Sequence, residues 1–214
     1  MRKLSWYFDL ISPFAYLHLK QFDRLPAGLD MEYVPVLFAG LLKHWEHKGP
    51  AEIPAKRIYT YRHVTWLAAH SGIPFKVPPA HPFNPLSALR LLIASGLTRE
   101  HVETAFDMIW QEGRDLMAPE NLAELGRRLG MQDTRAALAD ESVKARLKTN
   151  TDSAIAEGVF GVPTCLIGDA LFWGQDSLEM MLDYLKDPGL FDTPEMQRIH
   201  SLPVGMTRRE VSKS

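Results

Sequence analysis

Gly161-Val162-Pro163-Thr164, read together with Ser12-Pro13 near the amino terminus, decides how this chain folds. Leu4 to Asp9 is a short, aromatic-rich run closed off by Ser12-Pro13, which predicts a buried strand. A helix then starts with Ser12 as N-cap and Pro13 in its first position, where a missing N–H costs nothing. Ala15, Leu19 and Phe22 supply the apolar stripe of that helix, and Pro26-Ala27-Gly28 ends it. Met31 to Leu37, with Val34, Val36 and Leu37 as its apolar content, predicts a second strand. Strand, helix and strand in about forty residues make a parallel βαβ unit.

At the other end, Thr164 to Ile167, the turn Gly168-Asp169, and Ala170 to Trp173 carry a strong hairpin signal. Asp176-Ser177-Leu178-Glu179 then reads as a helix start, with Asp176 as N-cap and Glu179 at its third position. Leu178, Met181, Leu182 and Leu185 form the apolar face of that helix. Beyond Asp187 the chain is polar and proline-marked, and no structure is expected over Arg208 to Ser214.

The middle of the chain is helical. Gly49 to Pro85 is punctuated by prolines around one helical candidate, Lys56 to Ser71. Three apolar faces follow: Leu86, Leu89 and Ile93; Val102, Phe106 and Ile109; Leu122, Leu125 and Leu129. A last helix is expected from Ser142 to Glu157, with Gly158 as its C′ residue. The expected organisation is an α/β domain made of residues 1–45 and 150–186, interrupted by a helical insertion, 46–149, and followed by a tail, 187–214.

Composition limits the function. A net charge of −2 gives no general attraction to nucleic acid or an anionic membrane. No apolar run approaches the ~20 residues that span a bilayer. Met1-Arg2-Lys3 has the charge of a signal peptide, but Asp9, Ser12 and Pro13 interrupt the apolar region behind it. The one cysteine, Cys165, rules out an internal disulfide and any CxxC pair, and this favours a reducing compartment, the cytoplasm. His44, His47, His63 and His70 lack a HExxH pattern or a cysteine partner, so no metal site is expected.

The segments Trp6-Tyr7-Phe8-Asp9-Leu10-Ile11-Ser12-Pro13-Phe14-Ala15-Tyr16, Gly158-Val159-Phe160-Gly161-Val162-Pro163-Thr164 and Phe172-Trp173-Gly174-Gln175-Asp176 together resemble one family. It comprises the 2-hydroxychromene-2-carboxylate isomerases and the related kappa-class glutathione transferases. The resemblance spans roughly residues 4 to 186, and its Lys43 to Arg62 region and Gly-Gln-Asp turn look closer to the bacterial isomerases than to the transferases. It implies an α/β, thioredoxin-like fold with a large α-helical insertion, of the DsbA/kappa-class type. It also implies glutathione as cofactor, a small aromatic substrate and a homodimer.

Residue by residue, the resemblance places the glutathione sulfur beside Ser12, where the usual reactive cysteine is replaced by serine. Taken alone, Ser12-Pro13 is an ordinary helix cap; a hydroxyl at a positive helix end is also what favours a thiolate. Cis X-Pro bonds are ~5–6% of such bonds, so sequence alone favours trans at Val162-Pro163. The resemblance implies cis, with the Val162 backbone pairing with the cysteinyl backbone of glutathione. Asp176 and Ser177 are implied to hold the γ-glutamyl end. Lys56 reads equally as a solvated lysine or, by resemblance, as a ligand of the glycyl carboxylate. His47 stands about where the family pattern has an asparagine. Cys165, past the proline, reads as a buried strand residue. Asn84 and the aromatics Phe38, Trp45, Tyr61 and Phe83 are candidates for a substrate pocket, with core packing the default for the apolar ones.

The resemblance thus implies a glutathione-dependent cis-trans isomerase of 2-hydroxychromene-2-carboxylate-like aromatic acids. Two alternatives stand beside it, a kappa-type glutathione transferase and a redox-inactive thioredoxin-fold binding module.

Overall fold

The computed structural model describes residues 2–206, so the stretch from Arg208 to Ser214 lies outside the described residues. The elements are β1 (Arg2–Phe8), α1 (Pro13–Leu19), β2 (Leu29–Pro35), α2 (Phe38–His44), α3 (Pro54–His70), α4 (Leu86–Ala94) and α5 (Arg99–Trp110). There follow α6 (Pro119–Arg128), α7 (Thr134–Ala139), α8 (Glu141–Ala156), β3 (Thr164–Ile167), β4 (Ala170–Trp173), α9 (Leu178–Lys186) and α10 (Pro194–Ile199). One compact unit ends at Leu178 and a second begins at Glu179.

The four strands form one mixed sheet in the order β2-β1-β3-β4. β1 runs parallel to β2, from Arg2 opposite Leu29 to Phe8 opposite Pro35. It runs antiparallel to β3, with Trp6 opposite Cys165 and Tyr7 opposite Thr164. The expected hairpin is present, its strands paired from Thr164–Trp173 to Ile167–Ala170. This is a thioredoxin-type sheet, and the chain between β2 and β3 is helical, as the resemblance implies.

β1 is buried on both faces, which is why it reads as a continuous apolar run. On one face Trp6 stacks on Phe8 and meets Phe22 and Phe106. On the other, Tyr7 packs with Val36, Leu41, Ala154, Val159 and Val162. The amino-terminal strand and the segment 154–162 are therefore packed together.

α1 begins as its sequence predicts, with the Ser12 side chain accepting from the Ala15 N–H and Pro13 in the first turn. α8 ends at Ala156, and Gly158 takes a φ of 80° behind it. The Val102, Phe106 and Ile109 face of α5 is fully buried. On α4 the inward face is Ala88, Leu89, Leu91 and Leu92; of the expected residues Leu89 is buried, while Leu86 and Ile93 are half-buried. Both sets fit a helical period; packing selects the one that faces its neighbours.

His18 lies wholly inside the first core layer. Its Nδ1 accepts from the Trp6 indole N–H at 3.3 Å, so its proton sits on Nε2, which is buried without a partner among the described residues. Burial pushes this imidazole from 6.5 down to about 3. Below pH 6.5 the unfolded chain takes up a proton that the folded chain refuses, so stability falls as pH drops toward about 3. The loss is about 1.4 kcal/mol per pH unit. In His18→Gln this loss should vanish, so urea denaturation should show the variant gaining on wild type as pH falls through that window. A pH-independent difference between the two would contradict the assignment.

Candidate active site

The turn from Leu10 to Ser12 and the loop at Val162-Pro163 meet where β1 and β3 lie side by side. The Val162-Pro163 bond is cis. Ser12 is 8% exposed, and its hydroxyl donates to the Val162 carbonyl oxygen at 3.5 Å. That distance is at the outer limit of a hydrogen bond, so the proton is easily re-aimed. The Ser12 hydroxyl oxygen itself accepts from the Ala15 N–H at 3.2 Å. The Phe14 and Val162 N–H groups have no backbone or side-chain acceptor among the described residues. One hydroxyl proton and two amide donors thus stand ready at the junction.

They border a cavity of about 600 Å³. Ser12, Phe14 and Val162 line it from the thioredoxin-type sheet, and Phe38, Leu42 and Phe83 from the chain that follows β2. Its polar contributors include Asp9, Glu52, Thr60, His81 and Asn84. The wall is mostly apolar, with a few convergent polar groups, which is the usual make-up of a small-molecule site. Of the proposed aromatics, Phe38 and Phe83 are in the wall and Asn84 is with them. Tyr61 stands behind His81, and Trp45 instead donates its indole N–H to the Val159 carbonyl.

The remaining candidates are placed as follows. Pro163 is beside the junction, and its carbonyl oxygen accepts from the Gly174 N–H at 2.9 Å. This bond hangs the turn Gly174–Ser177 directly on the cis-proline. Asp176 lies exposed within the 3₁₀ turn Gln175–Ser177 instead of capping α9, because Gly174, at φ 90°, starts that turn with the Ser177 N–H bonded to its carbonyl. Ser177 is buried, and its hydroxyl donates to the Gly174 carbonyl at 2.7 Å. Lys56 is exposed in the first turn of α3, one helical turn before the cavity residue Thr60 and on its face. His47 is exposed, with its backbone N–H bonded to the Leu42 carbonyl. Cys165 is fully buried in β3, and burial pushes its thiol far up, so it is no nucleophile.

Two wall residues were not singled out from sequence. Asp9 is buried, accepting from the Phe38 N–H at 2.8 Å and the Ile11 N–H at 3.1 Å. It ties the Ser12 turn to the start of α2. Burial pushes its carboxyl up to about 7 against those backbone bonds, which favour the anion. The sequence signal was available: a lone carboxylate inside the apolar run from Trp6 to Ile11. His81 precedes a second cis proline, Pro82, and bonds the Ile11 carbonyl. Only its proximity to Pro82 marks it in the sequence.

A mixed four-stranded sheet, a helical interruption and a cis-proline facing a helix start define a thioredoxin-fold protein of the DsbA type. The chain belongs to the DsbA-like thioredoxin family, whose domain matches residues 3–186. It is 30% identical over 208 residues to glutathione S-transferase kappa 2 of Caenorhabditis elegans, covering 86% of this chain and 92% of that one. It is 29% identical over 189 residues to the 2-hydroxychromene-2-carboxylate isomerase of Pseudomonas putida, covering 83% and 91%. The structure of a 2-hydroxychromene-2-carboxylate isomerase superposes with a TM-score of 0.75 at 24% identity, over 94% of this chain and all of that one.

Proposed function

We propose that this chain is a glutathione-dependent isomerase of 2-hydroxychromene-2-carboxylate-like aromatic acids. The observation that carries the reading is the junction of Ser12 with the cis Val162-Pro163 loop at the edge of a largely apolar cavity. Glutathione fits the polar groups there. The unpaired Val162 N–H and its carbonyl offer a strand-like edge to a peptide backbone, and the Ser12 hydroxyl offers a proton to a sulfur anion. Asp176 takes the γ-glutamyl ammonium, the Ser177 turn its carboxylate, and Lys56 the glycyl carboxylate. Glutathione, when bound, would supply a thiolate for reversible addition to a conjugated double bond, which would permit rotation about the resulting single bond before elimination. Ser12 favours the thiolate, Phe14, Phe38 and Phe83 hold the aromatic ring, and the apolar wall excludes water.

The test is a chromene isomerisation assay with glutathione counted before and after. Turnover dependent on glutathione but without its consumption supports isomerisation. A second reading, a kappa-type transferase, is favoured by the C. elegans relative; stoichiometric loss of glutathione into a conjugate would establish it instead. Absence of glutathione binding in a calorimetric titration would leave only a binding module. We expect Asp176→Ala to weaken glutathione affinity by about tenfold, the scale of one exposed-to-partly-buried charge contact. Unchanged affinity would return Asp176 to a purely structural role in its turn. The same reading carries a cytoplasmic homodimer, which sedimentation of the full chain would check.

A further inference from the structure

The peptide group between Ile11 and Ser12 is held at both ends. Its N–H donates to the Asp9 carbonyl at 3.0 Å, and its carbonyl accepts from His81 Nε2 at 2.8 Å. A carbonyl oxygen can only accept, so Nε2 carries a proton in every state of the ring. Nδ1 is therefore the atom that titrates. Its partner is the Tyr61 hydroxyl, 2.8 Å away, and that hydroxyl is also 2.9 Å from the His81 carbonyl.

Tyr61 has one proton and two acceptors in reach. With a neutral ring, it serves Nδ1 or the carbonyl, and the other acceptor goes without. With a protonated ring, Nδ1–H donates to the Tyr61 oxygen, and the Tyr61 proton is free for the carbonyl. Protonation thus completes the set. It also makes the bond from Nε2 to Ile11 charge-assisted, hence stronger.

We propose that Tyr61 and His81 form a proton-responsive latch on the turn that carries Ser12. His81 is a positioning residue: it acts through the Ile11–Ser12 peptide, and the Trp110 and Phe83 rings hold its imidazole edge-on at 5.4 and 5.8 Å. Burial and the Arg57 guanidinium, which lies 5.9 Å over the Tyr61 ring, oppose the charged form. Asp9 and Glu52 are the acidic groups that share the cavity wall with it, while burial keeps the Tyr61 hydroxyl protonated. The latch accordingly tightens on acidification below the ordinary imidazole value of 6.5. Its effect on chemistry rests on the proposed role of Ser12; the latch itself does not.

The experiment is a nuclear magnetic resonance titration of the full chain, without ligand, following the His81 ring and the Ser12 amide. The Ser12 amide should shift with the same midpoint as the His81 ring, since they share one hydrogen-bonded peptide. In Tyr61→Phe the His81 midpoint should fall by about one pH unit, the scale of one hydrogen bond to a charged group. A Ser12 amide that stays still while His81 titrates overturns the latch, as does a midpoint unchanged or raised in Tyr61→Phe. No glutathione is present in these measurements, so such a failure would leave the glutathione reading intact. If the latch passes and glutathione then fails to bind, the reading of Ser12 fails alone.

Discussion

If Ser12 serves the thiolate as proposed, Ser12→Ala should lower turnover about 100-fold or more, the usual cost of removing one donor aimed at a developing anion, while glutathione affinity should fall far less. The hydroxyl is a side-chain donor at the junction, and its present bond to Val162 is long at 3.5 Å. Its proton can therefore turn to a sulfur anion with little lost. On the proposed reading, binding would rest on other groups, chiefly the Val162 backbone and the Gly174–Ser177 turn, and that is the reason for the expected split. The variant also loses the cap on Ala15, about 1 kcal/mol of stability. Denaturation reads that effect separately. Full turnover in Ser12→Ala, measured at saturating glutathione, would remove the serine from the mechanism.

Asp9→Ala costs about 3 kcal/mol of stability, because it removes a buried carboxylate that satisfies the part-buried Ile11 and Phe38 N–H groups. The loss has a pH signature. The native carboxyl takes its proton near 7 and the unfolded one near 3.8, so the folded chain binds the extra proton between those values. Asp9 therefore contributes more stability as pH falls from about 7 toward 3.8, and loses it as pH rises. Urea denaturation should show a larger Asp9→Ala deficit in mild acid than in mild base. An equal deficit at both would mean that the carboxyl titrates alike folded and unfolded.

The fold was legible where residue types with one strong physical preference stood at element ends. Ser12-Pro13 caps α1, Gly158 takes the positive φ behind α8, and Gly168-Asp169 turns the hairpin. α2 was missed because Val36-Leu37 extends the apolar run of β2, whose pairing stops at Pro35, and because its N-cap, Leu37, offers no side-chain bond. α3 starts at Pro54, two residues before the expected Lys56, with proline again at the first helical position. At the site, Ser12 and the cis Val162-Pro163 loop were legible through the resemblance of their motifs. Asp9 is marked in the sequence only as a lone carboxylate in an apolar run, and the roles of Asp9 and His81 depend on backbone groups distant in sequence: Phe38 for one, Ile11 for the other. Hydrogen bonds of that kind leave no local period or spacing to read.

The central claim is that the Ser12 junction holds the imported thiol as a thiolate. It is tested most directly by titrating the ultraviolet thiolate absorbance of glutathione bound to wild type and to Ser12→Ala. The bound thiol pKa should lie at least about one unit below the ~8.5 of a free thiol in the wild type and return toward that value in the variant. An unshifted pKa in the wild-type complex would contradict the claim.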